Sequence, residues 1–422
     1  MTDRREIQVF ADWEGLDDPT LMGWLFATPS RGKEIFSFEY DARWLRSTHR
    51  EQLDPTLQLY GGPQYPPPER RNFGLFLDSC PDRWGRVLMG RREARLARTE
   101  GRGERRLLES DYLLGVHDGH RMGALRFRLD GPFLDDNDDL ASPPWTSLRD
   151  LEHASLQIER EGATADPSYG RWLRMLIAPG GSLGGARPKA SVTDQDGRLW
   201  IAKFPSRGDS VDVGAWEKVV HELARRAGVD VPTAQVQRFG SAHHTFLSRR
   251  FDRTEGARRL HFCSAMTLLE RRDGDDADDG VSYLDLADLL IRGGSQPAQD
   301  LEQLWRRIGF SVCVSNTDDH LRNHGFVLGP SGWTLAPAYD LNPDPYGDGL
   351  KLNISETDNA QSLDLVREVA PFFRLKAPRA DGILEEVVAA VREWTEVATS
   401  LGLSRAARDR MSRAFRVADG PP

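Results

Sequence analysis

The stretch SNTDDHLRN, residues 315–323, is the most informative part of the sequence for the fold. It follows a helical stripe of apolar residues between Leu301 and Val312, so we expect a loop at the end of a helix. Asp318 and Asn323 are separated by four residues, the spacing of the catalytic aspartate and the metal-binding asparagine in protein kinases. In such a loop the aspartate accepts the proton of an attacking hydroxyl, and the asparagine offers an amide oxygen to Mg²⁺.

Two neighbouring residues leave other assignments open. Asp319 is an alternative base, although it does not keep the spacing to Asn323. For His320 we favour a structural, hydrogen-bonding role over a catalytic one.

A second carboxylate follows in WTLAPAYD, residues 333–340. We expect a strand here that ends in Asp340, a short hairpin away from Asn323. Asp340 then brings a second hard oxygen ligand to the same Mg²⁺. The alternative is a plain turn, because Tyr-Asp-Leu-Asn-Pro is a common kind of turn sequence.

A glycine-rich run, GGSLGGA at residues 180–186, lies upstream of this loop. Glycines let backbone N–H groups approach phosphates closely, which makes Gly184, Gly185 and Ala186 candidate ATP contacts. A flexible surface loop is the alternative. No Gly-Lys-Ser/Thr follows the run, so it is not a Walker A loop.

Lys203 lies in the otherwise apolar strand LWIAKF, residues 199–204. A lysine in such a strand is costly to bury unless its ammonium meets an anion, and in kinase-like sites that anion is ATP. Glu217, near the start of the next helix, is the candidate partner of this lysine. The alternative is that Glu217 only stabilises the helix, because a negative side chain is favourable near a helix N-terminus. Lys189 is a rival phosphate contact because it lies closer to the glycines.

The composition is that of a globular protein, with 39% hydrophobic and 29% charged residues. A chain of 422 residues is expected to form two or three packed units. The net charge of −9 argues against coating nucleic acid as the main task. The three cysteines have no metal-binding spacing. Neither a leader nor an apolar segment of membrane-spanning length is visible, so we expect a cytoplasmic protein that binds no membrane.

Predicted strands come first along the chain and helices afterwards, which indicates an α+β fold class with two lobes. The predicted strands are 7–10, 35–40, 199–204, 234–239 and 245–251, and the predicted helices are 82–96, 216–227 and most of the chain after residue 283. We predict three domains, at residues 1–145, 146–270 and 271–422. The acidic, proline-containing segment 131–145 is the predicted linker.

In combination and order, these motifs resemble the HipA family of bacterial toxin kinases. The matching stretches are GSLGGARPK (181–189), IAKFP (201–205), RRFDR (249–253), NTDDHLRN (316–323) and PAYD (337–340). LDSCPDRWGR (77–86) and the run from Phe38 to Leu45 resemble the N-terminal subdomain of the family. The resemblance implies a two-lobed, protein-kinase-like α+β fold with a small N-terminal α/β subdomain, an ATP-binding lobe and a mostly helical catalytic lobe.

The resemblance also implies a role for each site residue in a serine/threonine kinase that uses ATP and Mg²⁺. Asp318 is the implied base, Asn323 and Asp340 are the implied Mg²⁺ ligands, and Lys203 binds the ATP phosphates. The remaining implied ATP contacts are Arg249 and Phe251 at the adenine hinge and His320 and Arg322 in the catalytic loop. Ser182 occupies the position at which family members autophosphorylate, which ejects the glycine-rich loop and switches the kinase off.

The implied partners are a small helix-turn-helix antitoxin of the HipB type and a protein substrate, with aminoacyl-tRNA synthetases among the family's targets. DNA is expected only indirectly, through the antitoxin complex. One alternative is a DNA-binding co-repressor with vestigial kinase activity, motivated by the arginine-rich stretch 86–106. Another is a small-molecule kinase that shares the catalytic loop. The acidic loop 273–280 has no assigned role.

Overall fold

A computed structural model describes residues 4–134, 143–180, 185 and 187–420, with only the backbone considered for residues 178–180. The chain divides into two compact units. The first comprises Met1–Gly208, Phe239–Ser241 and Asp252–Cys263, and the second comprises Asp209–Arg238, Ala242–Phe251 and Ser264–Pro422. The predicted three-domain division remains a prediction.

The first unit begins with an antiparallel sheet and continues with helices. Its elements are β1 (Arg5–Ala11), β2 (Thr20–Ser30), β3 (Lys33–Tyr40), α1 (Gly74–Asp78), α2 (Arg83–Thr99), α3 (Glu109–Leu114), β4 (Leu125–Arg128), α4 (Leu148–Ile158), α5 (Tyr169–Gly180), β5 (Lys189–Thr193) and β6 (Leu199–Lys203). The first sheet has the order β3-β2-β1-β4. Ile7, Val9 and Ala11 alternate into its core, which is the period of two that predicted the first strand.

The second unit is mostly helical. Its elements are α6 (Val213–Arg226), β7 (Ala234–Gln237), β8 (Thr245–Arg249), the end of β9 (Phe262–Ser264), α7 (Ala265–Leu268), α8 (Tyr283–Gly293), α9 (Pro297–Val314), β10 (Gly325–Gly329), β11 (Gly332–Leu335), α10 (Leu363–Val369), α11 (Ala377–Arg392), α12 (Trp394–Ser400), α13 (Arg405–Met411) and α14 (Arg416–Asp419). α9 is its central helix. Trp305 and Ile308 of α9 are fully buried, and the helix packs against α8, α10 and α11.

Each predicted strand and helix with a clear hydrophobic period is present, so the α+β organisation is confirmed. The strand predicted to end in Asp340 is wrong, since β11 stops at Leu335 and irregular chain follows it. β2, β4 and β5 were not predicted. In β2, for example, Gly23 and Pro29 interrupt a run that shows no simple alternation of apolar and polar residues.

The start of α6 is held directly against the chain that leads into β8. The Asp212 carboxylate accepts a hydrogen bond from the Ala215 N–H at 3.1 Å, which caps the helix, and another from the His244 N–H at 2.9 Å. Gly214 makes this approach feasible, because a Cβ there would lie 2.2 Å from the His244 carbonyl oxygen. The placement of α6 therefore depends on a residue without a side chain.

Within the described residues, no helix is long and apolar enough to cross a membrane.

We predict that Gly214→Ala lowers the free energy of unfolding by about 2 kcal/mol, because helix and strand must separate to admit the methyl group. Gly382→Ala is the matched control, since Gly382 lies in α11 with nothing within 4 Å of the added Cβ. That control should stabilise the protein by about 0.5–1 kcal/mol through the better helix propensity of alanine. Urea titration followed by circular dichroism measures both, and equal effects of the two substitutions would contradict this account of α6.

Candidate active site in the second unit

The loop after α9 is shaped by its own hydrogen bonds. α9 ends because Ser315 adopts a left-handed conformation, with φ of 50°. The Asp318 carbonyl then accepts two hydrogen bonds, from the His320 N–H at 2.9 Å and from Asn323 Nδ2 at 3.1 Å. The two residues that define the spacing in the sequence, Asp318 and Asn323, are thus in direct contact. This contact leaves Asp318 exposed to solvent and Asn323 buried.

Asp319, the alternative base, is built into the protein interior. It is 4% exposed, its Oδ2 accepts a hydrogen bond from the Tyr283 hydroxyl at 2.7 Å, and its Oδ1 lies 3.1 Å from His324 Nε2. Burial raises the pKa of Asp319, but His324 and the Tyr283 hydroxyl outweigh burial and hold this pKa below its ordinary value. These contacts make Asp319 an anchor of the loop and leave Asp318 as the candidate base.

α9 also holds the segment that leads to Asp340. Asp300 and Arg307 are seven residues apart and therefore lie on the same face of α9. Both side chains bind the backbone where β11 ends. The Asp300 carboxylate accepts a hydrogen bond from the Leu335 N–H at 3.1 Å, and Arg307 Nη2 donates one to the Ala336 carbonyl at 2.6 Å. Burial lowers the pKa of Arg307 to about 10, so the guanidinium stays charged at neutral pH.

The chain on both sides of Asp340 is tied to the loop after α9. The Tyr339 hydroxyl donates to the Arg322 carbonyl at 2.7 Å, and the Asn342 N–H donates to Asn316 Oδ1 at 3.2 Å. Asp340 lies between these two contacts in a left-handed conformation, with φ of 58°. A non-glycine residue in this region is uncommon and often marks a functional site.

The oxygen atoms of this region suit a hard divalent cation. Asn323 donates through Nδ2 to Asp318, so its amide oxygen is directed away from that contact. Asn342 Nδ2 donates to Asp340 Oδ1 at 3.2 Å, and the buried Asn342 Oδ1 has no hydrogen-bond partner among the described residues. Within the described part of the chain there is no group of three His, Cys, Asp or Glu side chains arranged around a metal. Mg²⁺ bound with nucleotide phosphates needs only one or two carboxylates.

The predicted hinge residues belong to the same unit. Arg249 is the last residue of β8, and its N–H donates to the Thr233 carbonyl at 2.8 Å. The Phe251 ring stacks on Tyr339, with ring centroids 5.5 Å apart. Since the Tyr339 hydroxyl also donates to the Arg322 carbonyl, Phe251 is linked to Arg322 through one intervening residue.

The acidic loop 273–280 and Lys351 lie beside the loop after α9, and the sequence indicated a role for neither. Arg322 Nη1 contacts Asp273 Oδ1 at 3.2 Å, and Lys351 Nζ contacts Asp276 Oδ2 at 2.7 Å. The Asp276 carboxylate, with a smaller contribution from Asp318, raises the pKa of the Lys351 ammonium. The acidic loop is therefore more than a solvated insertion, because two of its carboxylates form ion pairs with the side chains of Arg322 and Lys351.

Of the other predicted residues, Glu217 is buried in α6 of this unit, whereas Lys203 and Gly185 belong to the first unit. Lys203 ends β6 opposite Lys189 in β5. Lys189 is 2% exposed and lies 3.4 Å from Asp82 at the start of α2, which favours a structural role over phosphate binding. Ser182, Gly184 and Ala186 lie outside the described residues. The pairing of Lys203 with Glu217 stays a prediction.

Comparison with known proteins supports the family assignment. The family model for the HipA-like C-terminal domain matches residues 181–395, half of the chain. The chain belongs to this family. The resemblance inferred from the motifs is confirmed.

Individual relatives match over part of the chain. "Putative kinase Y4mE" of Sinorhizobium fredii is 28% identical over 182 residues, which cover 38% of this chain and 41% of that protein. "Putative kinase Y4dM" of the same organism is 32% identical over 186 residues, covering 40% and 44%. The matches thus span about half the length of these curated relatives or less.

A solved structure shares the fold over nearly the whole chain. It is the HipA toxin in a complex with HipB and operator DNA from Shewanella oneidensis, at a TM-score of 0.65 and 18% identity, covering 98% of this chain and 96% of that one. The α+β, HipA-like fold predicted from the motifs is confirmed.

We predict that Asp319→Asn lowers the free energy of unfolding by about 2 kcal/mol or more, because a buried pair with His324 is broken. Asp318→Asn is the matched control at the neighbouring, exposed position and should stay within about 0.5 kcal/mol of the wild type. Chemical denaturation monitored by fluorescence compares the two. A stability loss in Asp318→Asn as large as in Asp319→Asn would refute the anchoring role.

Proposed function

We propose that this chain is an ATP-dependent serine/threonine-protein kinase of a type II toxin-antitoxin system, acting in the cytoplasm. The single observation that carries the proposal is the loop from Asp318 to Asn323, closed by its own hydrogen bonds and tied on both sides of Asp340. An exposed carboxylate beside two oxygen donors is the arrangement that phosphoryl transfer from ATP requires.

In this proposal the polar residues around the loop after α9 in the second unit have separate roles in phosphoryl transfer. Asp318 accepts the proton of the attacking serine or threonine hydroxyl. Asn323 and Asp340 hold Mg²⁺, which neutralises charge on the ATP phosphates when bound. Asn342 orients the Asp340 carboxylate through the hydrogen bond from its amide, and Lys351 contributes positive charge near Asp318.

The remaining nucleotide contacts are proposed from the family motifs. Lys203 binds the ATP phosphates and pairs with Glu217, and the backbone of Gly184, Gly185 and Ala186 covers those phosphates. Arg249 and Phe251 contact the adenine, with His320 and Arg322 completing the site. Phe251 is suited to this place because its ring is already packed on Tyr339 beside the catalytic loop.

Ser182 is the proposed autophosphorylation site. A dianionic phosphoserine inside a loop that holds phosphates repels them, so the modification switches the kinase off. The proposed partners are a helix-turn-helix antitoxin of the HipB type, through which DNA is reached, and a protein substrate such as an aminoacyl-tRNA synthetase. The HipB and operator DNA in the similar solved complex support the antitoxin partner.

Fewer arginines of the stretch 86–106 are available to contact DNA, as a DNA-binding co-repressor requires, than its sequence indicates. Arg86 pairs with Glu109 at 2.7 Å, Arg102 with Glu93 at 2.5 Å, and Arg105 with Asp111 at 3.0 Å. These three guanidiniums are paired within the first unit, so their charge is less available for DNA phosphates.

We predict that purified protein gains one phosphate on Ser182 when incubated with Mg²⁺-ATP, and that Asp318→Asn gains none. Without the carboxylate no base is positioned to accept the hydroxyl proton, so a rate loss of about 10²-fold or more is expected. Intact-mass spectrometry with mapping of the phosphosite measures the result.

Asp319→Asn serves as the second comparison, since it should reduce stability while leaving measurable phosphotransfer at low temperature. Undiminished phosphorylation in Asp318→Asn would remove the proposed base. Turnover of a small metabolite, with no phosphate on protein, would instead favour the small-molecule kinase.

A further inference from the structure

Ser315, the residue at which α9 ends, is held by two side chains from distant parts of the chain. It is fully buried, and its φ of 50° lies in the left-handed region. A serine is disfavoured in that region and adopts it only where the surrounding structure holds it there. The Ser315 hydroxyl donates to Gln361 Oε1 at 2.9 Å and accepts a hydrogen bond from Arg416 Nη1 at 3.3 Å. The conformation that ends α9 is therefore supported by Gln361 and by Arg416, the first residue of α14.

These three residues form a closed ring of hydrogen bonds. Arg416 Nη2 also donates to Gln361 Oε1, at 2.9 Å, so this amide oxygen accepts from both other members of the ring. Such an oxygen has two lone pairs, and both are occupied here. In the described part of the chain the third acceptor of the Arg416 guanidinium is the Arg413 carbonyl, at 3.1 Å. All three acceptors are neutral oxygens, so these contacts orient the chain and do not compensate a carboxylate.

The backbone that carries Arg416 is itself fixed by packing. The preceding residue, Phe415, is fully buried, and its ring stacks on Trp394 with centroids 4.6 Å apart and 9° between the ring planes. Ala418 is also fully buried, and Arg392 Nε donates to its carbonyl at 2.8 Å. Because close-packed interiors are rigid, the guanidinium is presented to Ser315 from a fixed position.

The Ser315 backbone connects this ring of hydrogen bonds to the candidate base. Its carbonyl accepts hydrogen bonds from the Asp344 N–H at 3.0 Å and from the Thr317 N–H at 2.9 Å. Thr317 directly precedes Asp318, and its hydroxyl donates to the Asp344 carboxylate at 3.0 Å. If Ser315 relaxed to the right-handed helical conformation, α9 would continue through it, and Thr317 and Asp318 would be displaced.

We infer that Arg416 is a positioning residue for phosphoryl transfer, which holds Ser315 in its left-handed conformation and thereby fixes the place of Asp318. Arg416 acts through Ser315 and Gln361 and not on the substrate. A displacement of about 1 Å in a catalytic group can lower a rate on the order of 10²-fold, so the C-terminal helix α14 controls the activity of the site. The effect on the rate rests on the proposed kinase function, whereas the effect on the loop after α9 does not.

Hydrogen–deuterium exchange of the full chain without nucleotide, read by mass spectrometry, tests the effect on the loop. The N–H groups of Asn316, His320 and Asn323 are hydrogen-bonded there and should exchange slowly in the wild type. In Arg416→Gln we expect peptides from this loop to exchange about tenfold faster or more, because hydrogen bonds from a charged group are lost. Arg410→Gln is the matched control, since it removes the same charge from an exposed position on α13.

The initial rate of phosphorylation with Mg²⁺-ATP tests the effect on catalysis. Arg416→Gln should lower this rate by about tenfold or more, and Arg416→Lys, which keeps a charged donor, should restore part of it. Ser315→Gly supplies the decisive background, because glycine adopts a positive φ without support from other side chains. In that background Arg416→Gln should lower the rate much less. Such non-additivity distinguishes an action through Ser315 from a general loss of stability.

The two measurements separate this inference from the proposed function. A wild type that transfers no phosphate would count against the kinase, and the exchange comparison would still decide the role of Arg416 in the loop. Equal exchange of the loop in Arg416→Gln and Arg410→Gln would overturn the inference, as would an equal loss of rate with and without Ser315→Gly. If circular dichroism shows that Arg416→Gln is unfolded, Arg416→Lys and Arg410→Lys replace the pair, with faster loop exchange expected only in Arg416→Lys.

Discussion

The buried carboxylate of Asp319 is the constraint on which the candidate active site depends. A charge that is removed from water must be compensated by partners at fixed positions. Here the partners are the Tyr283 hydroxyl at the start of α8 and the His324 ring just before β10. Because these contacts fix Asp319, the adjacent Asp318 is turned outward, and Asn323 returns to bind its carbonyl.

α9 extends this constraint to the segment that carries Asp340, the proposed metal ligand. It ends at the loop that carries Asp318, and its Asp300 and Arg307 bind the N–H of Leu335 and the carbonyl of Ala336, where β11 ends. One helix therefore positions both Asp318 and the segment that carries Asp340. Such a rigid support is what a site needs if its oxygen atoms are to be in place before the ligands arrive.

Much of this organisation could be predicted from the sequence, because its signals are local. The alternation in Ile7–Phe10 and the stripe from Leu301 to Val312 each report which face of an element is buried. The spacing of Asp318 and Asn323 is also local, since one turn of loop brings the two together. The strand predicted to reach Asp340 was wrong because the pattern cannot show that Asp300 and Arg307 end it at Leu335.

The sequence by itself thus determined the family, the α+β class and a loop with two candidate bases, Asp318 and Asp319, and a proposed metal ligand, Asn323. Only the tertiary structure buried Asp319 and left Asp318 exposed, paired Arg322 and Lys351 with the acidic loop, and left Arg95 against the first turn of α5. The physical reason is that these outcomes depend on burial and charge at contacts between residues far apart in the chain. Hydrophobic period and motif spacing carry no information about such contacts.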